Sequence, residues 1–299
     1  MFPIIPANSV AADSGNSEGI FGFGTTGGSN LWGVTNLVSS SGVVASDVSA
    51  VGTARNGLAA CEYGDDKGIF GFGTTGSNTA VTNLVSSAGV VATDVTGVGT
   101  ARRRIEACGY GEDKGIFGYG YISSATAVTN LVSNVGVVAT DVTGVGTARY
   151  YLAACEYGED KGIFGFGTTG SNTAVTNLVS NVGVVATDVT GVGTDRYALA
   201  ACEFGGDKGI FGYGYISSAT AVTNLVSNVG VVATDTTGVG TARYYPRACE
   251  YGGDKGIFGY GNTGSYVSMT NLVSNAGVVA TDVTGVGTDR SEPAACSFN

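Results

Sequence analysis

Apolar and polar residues alternate along this chain over short stretches and never hold a helical period. Residues 162–190 carry three apolar segments, GIFGFG, AVTNLVS and GVVATDVT, and residues 151–158 (YLAACEYG) carry a fourth. Each segment is rich in β-branched or aromatic residues and is bounded by Gly, Ser, Thr or Asn, which is typical of strands. No segment keeps apolar residues at i, i+3 and i+4 over three turns. The pattern therefore predicts an all-β protein without helices.

The same stretch recurs six times. Its Cys recurs at intervals of 47 residues, and the Asn of its TNL motif keeps the same period. Six tandem units of this length, each with four short strands, match the blades of a β-propeller. A β-solenoid usually has a shorter repeat, and leucine-rich or helical repeats would show Leu ladders or amphipathic helices. We predict a six-bladed propeller over residues 19–299, preceded by a lead-in segment, residues 1–18.

The order of motifs within a unit resembles the kelch repeat family. GIFGYG, AVTNLVS, GVVATD, a GVGTAR loop and LAAC follow one another as the kelch strands do. Two kelch features are absent, since Gly-aromatic-Gly replaces the Gly-Gly doublet and the third strand has no Trp. The repeats are also similar to Gly-rich propeller repeats of bacteriophages and aquatic bacteria. The resemblance implies a fold and no particular activity.

Kelch strand order also implies how the ring closes. The strand after the Arg loop is then the innermost strand of its blade, and the chain ends just after the sixth copy of that strand. The resemblance therefore implies that the C-terminal AACSF segment completes the first blade, which removes free sheet edges. The SVAADS segment, residues 9–14, is the alternative for the same position.

Composition excludes several functions. The formal charge of −10 argues against nucleic acid as a partner, because nucleic acid requires a basic surface. The chain has no His, which removes the commonest general base and zinc ligand. No Asp-box motif of the sialidase type occurs. No apolar run approaches the length of a membrane span, and the N-terminus lacks the basic region of a secretory signal. We predict no enzymatic activity, cofactor, metal site or membrane insertion.

Residues that all six units share are predicted to belong to the scaffold. A guanidinium group could bind an anion, but its presence in every unit favours a structural role, with the aspartates of the third strand as candidate partners. The cysteines occupy equivalent places in different units, so small core side chains are favoured over disulfides or a metal site. The predicted structural residues are Arg55, Arg102, Arg149, Arg196, Arg243, Arg290, Cys61, Cys108, Cys155, Cys202, Cys249 and Cys296.

Residues that differ between units are the candidate ligand-binding residues. They occupy the two positions after the shared Arg and the loop after GIFGFG or GIFGYG, and kelch strand order implies that both lie around the mouth of the central channel. Tyr and Arg there can stack on sugars or hold a protein loop, whereas neutral variation of exposed loops is the alternative. The candidates are Arg103, Arg104, Tyr150, Tyr151, Tyr197, Tyr244, Tyr245, Trp32, Tyr121, Tyr215 and Tyr266.

These observations together predict a non-enzymatic structural or adhesion module that binds a glycan or a protein through one loop face. We expect it in a virion or other extracellular particle, such as a phage tail or fibre, reached without a Sec signal. An intracellular kelch-type adaptor in the cytoplasm is the first alternative. Near-identical units could also self-assemble, so a filament-forming structural protein is the second.

Overall fold

Nineteen β-strands make up the regular structure of this computed structural model, which describes residues 17–49 and 51–298. The described residues contain no helix, as the pattern predicts. In chain order the strands are β1 Glu18–Gly22, β2 Val34–Val38, β3 Val48–Ser49, β4 Ala59–Tyr63, β5 Lys67–Gly71, β6 Thr82–Val85, β7 Glu106–Tyr110, β8 Lys114–Gly118, β9 Thr129–Val132, β10 Ala153–Tyr157, β11 Lys161–Gly165, β12 Thr176–Val179, β13 Ala200–Phe204, β14 Lys208–Gly212, β15 Thr223–Val226, β16 Arg247–Tyr251, β17 Lys255–Gly259, β18 Thr270–Val273 and β19 Ala294–Phe298.

The strands form six antiparallel sheets, which gives a propeller-like repeat. Sheet 1 has the order β19-β1-β2-β3, and sheets 2 to 6 each have three consecutive strands, from β4-β5-β6 to β16-β17-β18. The register is the same in every sheet; in sheet 4, Cys155 lies opposite Ile163, and Ile163 lies opposite Leu178. The Cys-bearing strand is thus at one edge, and the TNL strand lies beyond the GIFG strand.

The repeat has fewer strands than the sequence predicts. The GVVATDVT segment, predicted as a strand in every unit, forms only isolated bridges in sheets 2 to 6. In sheet 1 the equivalent segment contains the two-residue strand β3. In sheet 2 the Asn83 side chain donates to the Ala92 carbonyl oxygen at 3.1 Å and to Asp94 Oδ1 at 2.8 Å. Between the bridges formed by Val91 and Val95, the Ala92 carbonyl and Asp94 are therefore bonded by this side chain rather than by the backbone of the TNL strand.

Six hydrophobic cores lie between successive sheets. The core between sheets 2 and 3 combines Cys61 and Ile69 with Ile105 and Phe117, and the others have equivalent residues. One core packs Phe21 of sheet 1 against Ile257 and Tyr260 of sheet 6. The six Cys-bearing strands, here called the inner strands, are β4, β7, β10, β13, β16 and β19. Each inner strand contacts the next in this order, and β19 contacts β4.

The C-terminal strand lies in the first sheet. β19 pairs with β1, with Cys296 opposite Ile20. The alternative segment, residues 9–14, and most of the lead-in segment, residues 1–18, lie outside the described residues. Glycine in the GIFG strands permits the close approach of neighbouring sheets: a Cβ on Gly68 would lie only 2.5 Å from the Sγ atom of Cys296.

The shared arginines are fully buried. Arg55 donates from Nε to the Phe72 carbonyl at 2.9 Å, from Nη1 to the Thr53 carbonyl at 3.1 Å and from Nη2 to Asn83 Oδ1 at 2.7 Å. Its guanidinium carbon also lies 4.4 Å from the centre of the Phe23 ring in the preceding sheet. This arrangement satisfies most donors of the guanidinium and joins two sheets.

The aspartates of the GVVATDVT segment, which the sequence predicts as candidate partners of the shared arginines, contact mainly threonine. Asp94 accepts hydrogen bonds from the backbone nitrogen of Thr53 at 3.1 Å and from its hydroxyl at 2.5 Å. Within the described residues an arginine of the shared set lies within 4.0 Å of such an aspartate only in the pairs Arg196–Asp235 and Arg290–Asp47. The arginines therefore depend chiefly on carbonyl and amide oxygens.

Candidate functional site

The variable pairs meet at one end of the inner strands, here called the mouth. The second residue of each pair has a left-handed backbone with φ between 51° and 61°, a conformation that strains every residue except glycine. Backbone hydrogen bonds join these residues from one sheet to the next. The backbone nitrogen of Tyr245 donates to the carbonyl oxygen of Ala198, and the backbone nitrogen of Ala198 donates to the carbonyl oxygen of Tyr151, each at 2.8 Å. The left-handed residues are Gly57, Arg104, Tyr151, Ala198, Tyr245 and Glu292.

Tyrosine rings fill one side of the mouth. Successive ring centres lie 4.7 to 5.9 Å apart, so the rings form one continuous aromatic cluster. Arg104 lies over the Tyr151 ring with its guanidinium carbon 4.5 Å from the ring centre, and Arg103 lies 5.4 Å from the Tyr121 ring. The tyrosines of this cluster are Tyr121, Tyr150, Tyr151, Tyr197, Tyr215, Tyr244 and Tyr245.

An open cavity of about 340 Å³ occupies the other side of the mouth, between the loops of sheets 1, 2 and 3. This space exists because sheet 2 carries Asn56-Gly57 where sheets 4 and 6 carry two tyrosines. We call it the mouth cavity. Its lining residues are Gly28, Ser29, Leu31, Asn56, Thr74, Thr75, Gly76, Arg103, Arg104 and Glu292.

Glu292 joins the mouth cavity to the aromatic cluster. Its Oε2 accepts a hydrogen bond from Asn56 Nδ2 at 2.9 Å, and its Oε1 accepts one from the Tyr151 hydroxyl at 3.1 Å. Burial raises the pKa of Glu292, although the positive charges of Arg247 and Arg104 oppose this shift. Burial also raises the pKa of Tyr151, so the tyrosine stays protonated and able to donate.

An ion pair lies just inside the mouth. Arg247 and Glu106 replace the first alanine of the AAC motif in sheets 6 and 3, and their side chains approach to 2.9 Å. Because β7 and β16 are three places apart in the order in which the inner strands contact one another, this pair joins two sheets that are not neighbours. Burial raises the pKa of Glu106 to about 7 despite the positive charge of Arg247.

Four glutamates lie deeper, at equivalent positions of β4, β10, β13 and β16: Glu62, Glu156, Glu203 and Glu250. They line an axial cavity of about 50 Å³ with Cys and Ala residues of all six inner strands. β7 has Gly109 at this position, and a Cβ there would overlap Glu156 Oε1. The Glu156 carboxyl group is hydrogen-bonded to Glu62.

Three of these carboxyl groups hold their protons unusually tightly. Burial, reinforced by the neighbouring negative charges, raises the pKa of Glu203 to about 8 and that of Glu250 to about 10. The pKa of Glu156 is also raised well above its ordinary value by the same causes. At neutral pH Glu203 and Glu250 are therefore carboxylic acids rather than negative charges.

The structure brings together nine of the candidate ligand-binding residues: Arg103, Arg104 and the seven tyrosines of the cluster. Two others lie outside the aromatic cluster. Trp32 donates from its indole nitrogen to the Thr26 hydroxyl of its own loop at 3.2 Å, and the Tyr266 hydroxyl of sheet 6 lies against Gly27 of sheet 1. Tyr151 is itself only 7% exposed and lies beneath the surface of the mouth.

Sequence reasoning missed four residues of this region. Asn56 and Glu292 stand at the variable positions but are not aromatic or basic, and the prediction selected only aromatic and basic residues. Glu106 and Arg247 carried a signal of another kind, since they are the two charged residues that interrupt an otherwise apolar position of the repeat, and their charges are opposite. Opposite charges at equivalent positions of two units indicate a contact between them.

Comparison with known proteins does not extend these observations: no family model matches the chain, and no curated protein matches it. All six cysteines are buried, free thiols. Within the described residues no cluster of side chains suited to a metal ion occurs. The same residues include no helix that is long and apolar enough to cross a membrane.

Proposed function

We propose that this chain is a kelch-like, six-bladed β-propeller with a closed ring, and that it acts as a non-enzymatic module that binds a glycan at its mouth. Two observations support the closed ring: β19 pairs with β1, and a hydrophobic core joins sheet 6 to sheet 1. Negative-stain images of the purified protein test it, because a closed propeller viewed along its axis is a six-lobed disc with a central depression.

The mouth cavity is the observation that carries the proposed function. Its volume of about 340 Å³ lies at the lower end of the range for small-molecule sites, which suits one or two sugar rings. Hydroxyl, amide and guanidinium groups line it, and these groups form the hydrogen bonds that sugar hydroxyls require. The neighbouring tyrosines offer aromatic surface of the kind that stacks on sugar rings.

The proposed setting is the surface of an extracellular particle, such as a phage tail or fibre, where the module would mediate adhesion. The resemblance of the repeats to bacteriophage propeller repeats supports this setting. Antiserum raised against the chain tests it, because the serum should label intact particles recovered from the source culture and should not label the cell interior alone.

A variant that fills the mouth cavity tests the binding site. Thr75 is exposed at the cavity wall, so Thr75→Tyr places a large ring in the space with little effect on the scaffold. We expect wild-type protein to bind a subset of an immobilised glycan panel and Thr75→Tyr to lose that binding. Thr169→Tyr is the matched control, because Thr169 is exposed at the equivalent position of sheet 4, away from the cavity.

Equal binding by wild-type protein and Thr75→Tyr would place the glycan outside the mouth cavity and would contradict the proposed site. Failure of the wild-type protein to bind any glycan of a broad panel would contradict the proposed function. Thermal unfolding of both variants at the wild-type temperature confirms that a loss of binding comes from the filled cavity and not from a damaged fold.

A further inference from the structure

The charged side chains of the mouth cavity differ in how many partners they have within the protein. Two arginines, Arg103 and Arg104, and one glutamate, Glu292, line it. The Glu292 carboxylate accepts hydrogen bonds from Asn56 and Tyr151 and lies in the field of Arg104 and Arg247. The negative charge of the cavity is therefore already engaged within the protein.

Arg104 and Arg247 are engaged as well. Arg104 lies over the Tyr151 ring at 4.5 Å and close to the rings of Tyr150 and Tyr121, at 5.5 and 5.6 Å. Arg247 forms its ion pair with Glu106 at 2.9 Å, beneath the mouth. Arg247 therefore has an anionic partner within the protein, and Arg104 lies among three aromatic rings.

Arg103 differs from both. Among the described residues its guanidinium makes one hydrogen bond, from Nη1 to Asn78 Oδ1 at 3.2 Å, and forms no ion pair. Its guanidinium carbon lies 5.4 Å from the centre of the Tyr121 ring, which steadies the side chain without using its donors. A guanidinium has five N–H donors in a planar fork that matches a carboxylate, so most of this fork is available to a ligand in the cavity.

The remaining lining suits the uncharged part of a sugar. The hydroxyls of Ser29, Thr74 and Thr75 can pair with sugar hydroxyls, and Leu31 offers a small apolar contact for ring C–H groups. The formal charge of the whole chain is −10, so long-range electrostatics do not attract anions in general. Recognition of an anion here depends on short-range bonds to Arg103, which favours a small ligand with one charge over a polyanion.

We propose that the mouth cavity binds a sugar that carries a carboxylate, such as a hexuronic or nonulosonic acid, and that the carboxylate pairs with Arg103. This inference rests on the proposed glycan-binding function and names the class of glycan. Thr74, Thr75 and Ser29 then contact the sugar hydroxyls, and Glu292 and Asn56 close the inner wall.

The test compares matched ligands and matched variants by calorimetric titration. Oligosaccharides that end in a hexuronic acid are compared with the same oligosaccharides ending in the parent neutral hexose, and with a sulfated form. For wild-type protein we expect affinity for the carboxylated sugar to exceed affinity for the neutral parent by about tenfold to a hundredfold, the range for a hydrogen-bonded charge pair. Arg103→Gln should remove this preference, so that the acidic sugar and its neutral parent bind with similar affinity.

Arg103→Lys is the second variant, because it keeps the charge but loses the planar fork; we expect it to retain only part of the preference. Equal wild-type affinity for the acidic and neutral sugars would overturn the inference, as would an unchanged preference in Arg103→Gln or stronger binding of the sulfated sugar. If neutral sugars bind and Thr75→Tyr abolishes that binding, the proposed function stands and only the inference about the carboxylate fails. Absence of any binding overturns both.

Discussion

Raising the pH from 5 to 8 is expected to destabilise the folded protein, because Glu203 keeps its proton in the folded state whereas the unfolded chain loses it. Glu203 carries the clearest effect. Its pKa in the folded protein is raised from the ordinary value of 4.5 to about 8, by burial first and then by the negative charges of Glu62, Asp207 and Glu159. The unfolded chain has no such environment, so its glutamates lose their protons near the ordinary value.

The sign of the effect follows from proton binding. Between pH 4.5 and 8 the folded state keeps the Glu203 proton and the unfolded state has lost it, so stability falls as the pH rises through this window. The loss is about 1.4 kcal/mol per pH unit for one such group, which accumulates to on the order of 4 kcal/mol over the window. Glu106, whose pKa is raised to about 7, adds to the loss in the same direction.

Urea denaturation followed by circular dichroism at pH 5, 6, 7 and 8 measures this slope; urea is preferred because guanidinium chloride would screen the charges. Glu203→Gln removes one ionisable group with little change of shape. We expect the variant to be more stable than wild type by on the order of 2 to 4 kcal/mol at pH 8, and to differ by less than about 1 kcal/mol at pH 5.

Glu112→Gln is the matched control, because Glu112 is exposed in the turn between β7 and β8. Its pH profile should follow that of the wild type. A wild-type stability that stays level or rises between pH 5 and 8 would refute the reasoning, and so would a Glu203→Gln profile as steep as the wild-type profile. The aspartates that bind threonine, such as Asp94, have lowered pKa values and affect stability only at more acidic pH.

Three further predictions concern the scaffold. Arg149→Ala is expected to lower the free energy of unfolding by about 3 to 5 kcal/mol, because Arg149 is fully buried and donates to three backbone carbonyls; a loss below about 1 kcal/mol in urea denaturation would contradict its structural role. Ala198→Gly should leave stability unchanged or raise it by up to about 1 kcal/mol, since Ala198 has φ of 56°, whereas Ala201→Gly within β13 should lower it. The six cysteines should react slowly with a thiol reagent in the native protein and all six should titrate in denaturant; fewer than six without reductant would show a disulfide.

The strands and their repetition could be predicted from sequence because both depend on local pattern. The apolar residues of GIFGFG and the alternation in AVTNLVS identify strands; β11 overlaps the first segment and β12 lies within the second. The same reasoning was wrong for the GVVATDVT segment of sheets 2 to 6, which forms only isolated bridges although its β-branched residues favour a strand; in sheet 1, β3 lies within the equivalent segment. In sheet 2 only Val91 and Val95 of the segment pair with the TNL strand, and the Asn83 side chain bonds the residues between them, which strand propensity does not report.

The candidate site could be predicted only in part. Comparison of the units identified the positions at which the mouth varies, and nine of the residues chosen there lie together. Which side of the mouth is open depends on volume: Asn56 and Gly57 leave space, whereas Tyr150 and Tyr151 fill it. No single position of the sequence predicts the cavity, because residues from the loops of three sheets line it.

Sequence alone determined the period of the repeat, most strand positions and the set of variable positions, because each depends on neighbours along the chain. Tertiary structure alone decided which variable residues meet. The Tyr151 hydroxyl binds Glu292 across 141 residues of sequence, and Arg247 binds Glu106 of an inner strand that is not its neighbour. Such contacts depend on how the inner strands pack against one another, and their strength depends on burial there, which no local pattern of residues specifies.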